Sequence, residues 1–328
     1  MRVLVTGVAG HLGEALARTL AARGDEVVGL DLVPSVYASH VGSITDTTLV
    51  ARCMRGVEAV FHLATLHKPH VASHDRRAFI DVNVAGTETL LAGAVGAGVS
   101  AFVFTSTTSV FGEAMSPAAG APAVWVDEAL PPRPRNIYGV TKLAAEQLCA
   151  LARREDGLAT IILRTSRFFP EADDDPAVRA AYAPDNVKLN EFLYRRADIE
   201  DVVQAHLLAA DRAADVGPGP YIVSATTPFA PAHLARLATD APSLLAGLCA
   251  AYGEVYAHRG WSMFPIIGRV YDNAAARAAL GWTPKYDFVA MLEKVAGGAP
   301  PMSELALAIG AKGYHPGARS EKTTRSSG

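Results

Sequence analysis

Three side chains in this sequence have types and spacing suited to moving a proton on or off an alcohol: Thr107, Tyr138 and Lys142. Tyr138 and Lys142 stand four residues apart in a predicted helix, 138–154, so both project from one face. A lysine ammonium near a tyrosine hydroxyl favours the phenolate and lowers a pKa that is about 10 in the free side chain. The phenol then becomes a usable general base or acid. Thr107 follows a predicted strand, 101–104, and its hydroxyl could hold the alcohol or carbonyl oxygen of a substrate. A Tyr-x-x-x-Lys pair alone means little, because such pairs are common on solvated helices. Its weight comes from the elements that position it.

The first of these elements is at the N-terminus. Residues 1–6 read as a short buried strand, glycines follow at positions 7, 10 and 13, and 14–22 is amphipathic. In this strand, turn and helix, Gly7 lets the chain leave the strand in a conformation a side chain would forbid. Gly10 lets backbone approach a bound group, and Gly13 lets helix pack on sheet. Unpaired N–H groups and the positive dipole end of the helix then face the turn, a natural seat for a pyrophosphate. The next apolar run, 26–30, ends in Asp31, 18 positions past Gly13, where a carboxylate could accept hydrogen bonds from an adenosine ribose. No Arg or Lys follows in Leu32-Val33-Pro34, so a ribose 2′-phosphate would meet uncompensated negative charge. NAD is expected rather than NADP.

Composition narrows the class. The chain has 328 residues, long enough for two domains, and its formal net charge of −3 offers no broad basic field to a nucleic acid. Cys53, Cys149 and Cys249 are widely spaced without a C-x-x-C pair, which suggests free thiols in a reducing compartment. The N-terminus reads as a strand rather than a targeting segment. The apolar stretch 89–104 is interrupted by Gly93, Gly96, Gly98 and Ser100, so helix, turn and strand are expected there instead of a membrane span. A cytoplasmic protein with a small-molecule substrate is the expectation.

Further along, helix 47–54, strand 59–63, helix 76–96, strand 101–104, helix 138–154 and strand 159–163 continue the alternation. Such an order argues for an α/β fold with a doubly wound parallel sheet, whose ligands sit beyond the carboxyl ends of its strands. Residues 164–190 read as irregular. Helix 200–211 and strand 221–224 follow, then helices at 233–239, 243–252 and 273–280, a smaller mixed region suited to a substrate lobe. From His315 onward the residues are polar and small, as in a disordered tail.

Several motifs together carry a resemblance. Thr6-Gly7-Val8-Ala9-Gly10-His11-Leu12-Gly13, His62-Leu63-Ala64-Thr65, Asn83-Val84-Ala85-Gly86-Thr87, Thr105-Ser106-Thr107-Thr108-Ser109-Val110-Phe111-Gly112 and Tyr138-Gly139-Val140-Thr141-Lys142 resemble those of an extended short-chain dehydrogenase/reductase of the NAD-dependent epimerase/dehydratase family. The resemblance runs to about Phe288. It implies a Rossmann domain over 1–165 with a return segment at 200–225, a discontinuous substrate lobe within 166–314, and a homodimer through the helices near 76–96 and 138–154. The coenzyme contacts it implies are Gly7, Gly10, His11, Leu12, Gly13, Asp31, Ile44, Leu63, Ala64, Asn83, Thr105, Tyr138 and Lys142, with Thr107 at the catalytic Ser/Thr position.

The implied reaction begins with Tyr138 removing a hydroxyl proton while hydride passes to NAD, giving a transient ketone. Sugar dehydratases of the family carry Asp-Glu directly after the catalytic Thr; here Thr108 and Ser109 stand there, which disfavours dehydration. An NAD-dependent epimerase acting on a sugar or sugar nucleotide is the leading expectation. A dehydrogenase with net hydride transfer is the second, and a scaffold that senses NAD without chemistry is the third.

Departures from the pattern bear on substrate. Arg167 replaces the Asn that sugar-nucleotide epimerases place near the substrate diphosphate, and it could bind phosphate or carboxylate. Ser43 replaces an acidic residue near adenine, and Asp198 replaces a His. Arg259 and Arg269 are candidate substrate cations, with solvated surface arginines the competing reading. His62, His67, His70 and His74 raise the question of a metal, as does the run Asp173-Asp174-Asp175. Substrate contacts and a solvated loop are the preferred readings, with no metal expected.

Overall fold

Val3, Leu4 and Val5 have no solvent exposure, and a strand apolar on both faces must lie inside a sheet covered on both sides. The computed structural model describes residues 1–313 and places β1 (Arg2–Thr6) there. The tail expected over 315–328 lies outside the described residues. After β1 come α1 (His11–Ala22), β2 (Glu26–Asp31), β3 (His40–Val41), α2 (Thr47–Cys53), β4 (Ala59–His62), α3 (Arg76–Ile80), α4 (Gly86–Ala97), β5 (Ala101–Thr107), β6 (Val124–Val126), α5 (Ile137–Asp156) and β7 (Thr160–Thr165). Then follow α6 (Pro176–Ala181), α7 (Pro184–Phe192), α8 (Ile199–Arg212), β8 (Tyr221–Val223) and, among later helices, β9 (Arg269–Tyr271).

Seven strands form one parallel sheet in the order β3-β2-β1-β4-β5-β7-β8, the doubly wound Rossmann arrangement. The chain runs outward from β1 to β2 and β3, then returns to β4 on the other side. The crevice at this reversal opens beyond the carboxyl ends of β1 and β4, where Thr6 is in register with His62. One apolar layer unites α1 and α8 with the sheet through Leu12, Leu16, Leu20, Val202 and Ala205. The opposite layer joins α2, α4 and α5 through Leu49, Leu90, Leu91, Ala145 and Cys149.

Several elements differ from expectation. Strand β5 continues to Thr107, because β7 continues beside it and pairs Thr165 with Thr107. The expected helix 76–96 is interrupted by a π-helical turn, Asp81–Ala85. Its span Arg76–Ala97 is long and apolar enough to cross a membrane by length and composition, yet Phe79, Leu90, Leu91 and Ala94 are packed inside the protein. The segment read as irregular contains α6 and α7, each opened by a proline whose fixed φ suits a first helical turn. The helix expected at 243–252 is two helices, Ala241–Leu248 and Ala251–Arg259, separated where Cys249 leaves helical geometry.

The smaller lobe has its own core, with Leu189, Phe192, Phe229, Leu245, Tyr256, Phe288 and Met291. It is interleaved with the first domain. Strand β6, from the segment before α5, pairs with β9, while Leu280, Trp282, Ala306 and Ile309 return to the core under α1 and α8.

Candidate active site

The turn after β1 is shaped by contacts that exclude side chains. Gly7 has φ +71°, and a Cβ there would lie 2.8 Å from the Ala64 nitrogen on the neighbouring strand end. A Cβ on Gly13 would come within 2.1 Å of the Gly7 carbonyl oxygen, so this glycine lets α1 start directly above the turn. Gly10 precedes the helix without a side-chain cap, leaving the first N–H groups of α1 directed at the crevice. Asp31, at the end of β2, accepts from the Ala9 N–H at 2.9 Å and from the Val33 N–H at 3.0 Å. The geometry fits a dinucleotide whose pyrophosphate approaches bare backbone.

Beside the turn, His62 belongs to a buried polar knot. Its Nδ1 pairs with Thr6 Oγ1 at 2.9 Å and its Nε2 with Thr87 Oγ1 at 3.0 Å. Because Thr87 donates to the Asn83 carbonyl, its oxygen is left to accept from Nε2–H, and Nδ1 accepts from Thr6. Burial, reinforced by Lys142, pushes the His62 pKa well below the usual imidazole range. This neutral histidine therefore ties β4 to β1 and α4, and it stands apart from the other histidines of the cluster. Thr6 Oγ1 in turn accepts from the Leu63 and Ala64 N–H groups at 3.2 Å, which fixes the strand end.

Asn83 sits in the π turn and is buried. Its Oδ1 accepts from Thr65 Oγ1 and the Leu66 N–H, while Nδ2 donates to the Leu66 carbonyl and to Thr141 Oγ1. The side chain thus joins the loop after β4 to the helix that carries Tyr138 and Lys142. Thr105 Oγ1 is engaged with His206 Nε2 at 2.7 Å, and His206 donates from Nδ1 to the Val202 carbonyl. Burial holds that imidazole neutral, with its pKa lowered to about 4. Ile44 is buried against the position of Gly86, at the other edge of the crevice.

Helix α5 begins at Asn136, whose side chain caps the Gly139 N–H. Its inner face carries Tyr138, Lys142, Ala145, Glu146 and Cys149, all buried. Two contacts bring this face to β5: Gly139 lies against the Ser109 carbonyl so closely that a Cβ would be 3.0 Å away, and Ser106 Oγ donates to Glu146 at 2.5 Å. Thr107 accepts from the Ser109 N–H at 3.1 Å and is 9% exposed, against 8% for Tyr138. The Lys142 ammonium lies 4.0 Å from the centre of the Phe104 ring. Burial lowers its pKa to about 7, opposed by Cys149 and Glu146. Helix α5 thus sets the face that carries Tyr138 and Lys142 against the end of β5, the strand that ends at Thr107 and lies two strands from the glycine turn after β1.

Residues 3–224 match the NAD-dependent epimerase/dehydratase family. The chain belongs to that family. In line with this membership, it is 35% identical over 184 residues to a 3 beta-hydroxysteroid dehydrogenase/Delta 5-->4-isomerase of Mycobacterium tuberculosis, covering 52% of this chain and 48% of the relative. It is 30% identical over 196 residues to a UDP-glucose 4-epimerase of Streptomyces lividans, covering 56% of each. The chain therefore spans about half the length of these curated relatives. A short-chain dehydrogenase/reductase superfamily protein from Agrobacterium tumefaciens, solved with bound NAD, superposes with a TM-score of 0.66 at 26% identity, covering 90% of this chain and 96% of that one.

In this family member the segment after β7 crosses the crevice. Glu171 pairs with His11 Nε2 at 2.8 Å and accepts from the Lys312 and Gly313 N–H groups, each at 3.1 Å. Burial alone would raise the Glu171 pKa; the His11 contact and backbone donors instead hold it at about 2. Three residues on, Asp174 meets Lys68 from the loop after β4 at 3.1 Å. Sequence gave no sign of this strap, since its partners lie more than a hundred residues away.

The substrate candidates separate. Arg167 directs Nη2 to the Glu171 and Ala172 carbonyls at 2.8 Å and stacks on Phe169, 4.7 Å from the ring centre, beside the crevice. Arg259 does not join it: its guanidinium donates to the Val295 carbonyl at 2.6 Å and closes two helices of the smaller lobe. Asp198 caps α8 and accepts from the Ser303 N–H at 2.9 Å, a structural use of the position where His was expected. His67 has its ring 6.3 Å from that of Tyr138; its signal in the sequence was the histidine cluster, weighed there for metal binding. Among the described residues no group of three His, Cys, Asp or Glu side chains could hold a metal ion.

Proposed function

We propose that this chain is an NAD-dependent, epimerase-like oxidoreductase acting on a secondary hydroxyl of a sugar or sugar nucleotide. The observation that carries the reading is the shared buried face of Tyr138 and Lys142, set against the end of β5 at Thr107. Thr107 holds the substrate oxygen by hydrogen bond. Tyr138 takes the hydroxyl proton as general base and returns it as general acid, while Lys142 adjusts the proton affinity of the phenol and binds the nicotinamide ribose. Bound NAD supplies hydride acceptance and return, so the substrate passes through a ketone. Gly7, Gly10, His11, Leu12 and Gly13 hold the pyrophosphate, Asp31 the adenosine ribose, and Ile44, Leu63 and Ala64 the apolar walls.

A second reading, net dehydrogenation, is supported by Arg167 in place of the expected Asn and by the hydroxysteroid dehydrogenase relative. Incubation with substrate and NAD, followed at 340 nm and by product analysis, separates the two. Turnover to an epimer without NADH accumulation supports epimerisation; stoichiometric NADH supports the dehydrogenase.

A homodimer is part of the proposal, supported by Ile80, Val95 and Val140, apolar residues left exposed on the helices expected to pair. Sedimentation of the wild type against Val140→Glu tests it, with a monomeric wild type as the contrary result. A cytoplasmic location is supported by Cys53, Cys149 and Cys249, all unpaired thiols.

A further inference from the structure

The first turn of α1 is held by two segments remote from it in sequence. Three contacts converge on one oxygen of Glu171: Oε1 lies 2.8 Å from His11 Nε2 and accepts from the Lys312 and Gly313 N–H groups at 3.1 Å. Lys312 reaches further along the helix and pairs its ammonium with Glu14. The His11 and Glu171 side chains are only 12% and 17% exposed, so solvent screens their contact little.

The segment that carries Glu171 has a second anchor. Asp174 meets Lys68 at 3.1 Å, but both side chains are more than half exposed and the contact holds weakly. His11 follows β1 and Lys68 follows β4, the adjacent strands whose ends frame the crevice. Three residues of extended chain span at most about 11 Å, so Glu171 to Asp174 is a short bridge from one side of the crevice to the other. A dinucleotide lying across the ends of β1 and β4 shares that space with the bridge. Arg167 holds the base of the bridge through the Glu171 and Ala172 carbonyls, each at 2.8 Å. Among the described residues, Glu171 Oε2 is buried without a hydrogen-bond partner. A carboxylate with one oxygen unpaired is incompletely satisfied, which lowers the cost of releasing it.

We propose that Glu171, His11 and Lys312 form a latch that gates coenzyme exchange: the segment after β7 and the arm 310–313 close over the dinucleotide seat and must part before NAD is bound or lost. The inference rests on the reading of the glycine turn as that seat and adds control of the traffic through it. A gate slows entry and exit together, because it must open for either. A side chain that only touches the coenzyme acts mainly on exit. The latch also bears differently on the two activities considered above. An epimerase returns hydride to the same coenzyme and turns over with the latch shut, whereas a dehydrogenase must open it in every cycle.

The test is stopped-flow exchange of NADH on the full chain, with association read from the change in NADH emission and dissociation from a chase with excess NAD. Glu171→Ala should raise both rate constants about tenfold or more and leave Kd within about threefold of wild type. Lys312→Ala keeps the backbone donor and removes only the ion pair with Glu14, so it should raise both by about threefold. That variant decides the matter if Glu171→Ala fails to fold. Wild-type rates in the folded variants would overturn the latch. Faster dissociation with unchanged association would overturn it too, and would mark Glu171 as a direct coenzyme contact. A wild-type chain that binds no NADH would instead overturn the coenzyme seat itself, and the latch with it.

Discussion

The Asp31 carboxylate accepts the Ala9 N–H at 2.9 Å and so joins the end of β2 to the glycine turn after β1. One side chain thereby shapes the glycine turn proposed to hold the pyrophosphate and stands where the adenosine ribose is expected.

Asp31→Ala removes the acceptor for both Ala9 and Val33. It also removes the charged acceptor proposed for the adenosine ribose; a hydrogen bond to a charged group is worth about 1.5–3 kcal/mol, and 1.4 kcal/mol is a factor of ten in binding. NAD affinity should therefore fall about tenfold or more, while the ratio of NADP to NAD use rises because a 2′-phosphate no longer meets the carboxylate. Titration of both coenzymes by quenching of intrinsic fluorescence checks this. An unchanged preference would remove Asp31 from the ribose site.

The buried pair Glu146–Arg164 supports the end of β5 from behind. Glu146 engages Arg164 twice, at 3.0 and 2.7 Å, and accepts from Ser106, the residue before Thr107. The two side chains are 2% and 4% exposed, so removing the carboxylate leaves a desolvated guanidinium without its counter-charge. Glu146→Ala should lose about 3–5 kcal/mol of stability, read as a lower urea midpoint. A loss under 1 kcal/mol would show that solvent reaches Arg164 in the folded protein.

How much of this was legible in the sequence depends on how local each signal is. The turn from Gly7 to Gly13 could be read because strand, glycines and helix are contiguous, and Tyr138 with Lys142 because four residues define one helical face. The doubly wound parallel sheet followed from alternation, whereas its edge strand β3, two residues long, fell in a segment read as loop. By contrast, Glu171 finds His11 and Lys312 through folding of the whole chain, and no periodicity announces such a contact. His62 looked like one of four clustered histidines, yet strand alternation turns it inward to Thr6 and Thr87 while His67, His70 and His74 follow in the loop. Residues 164–190 were read as irregular, although Pro176 and Pro184 each occupy the first turn of a helix there, where a missing N–H costs nothing.

Tyr138→Phe keeps the ring and deletes the proton carrier. General acid–base catalysis contributes about a hundred to ten thousand fold, so kcat should fall by at least a hundredfold. NAD affinity should stay within a few-fold, since the ring packing is retained. Wild-type turnover in the variant would exclude the phenol as base.

Lys142 makes the sharpest test of the electrostatics, because burial lowers its pKa from 10.5 to about 7. Between those values the unfolded chain binds a proton that the native protein has released, so this group's contribution to stability rises with pH across the window. It is lost as pH falls back through about 7, below which both states carry the charge and the native one bears the full desolvation penalty. Lys142→Met removes the titration. Its stability relative to wild type should therefore be greatest at pH 6 and shrink by on the order of a few kcal/mol by pH 10, with turnover lost at both. Urea unfolding of the two proteins at each pH measures the difference, and Asp201, whose pKa burial raises to about 7, is common to both and cancels. A difference independent of pH would show that the ammonium is solvated in the folded state, and the lysine could then not tune the phenol by way of a dry site.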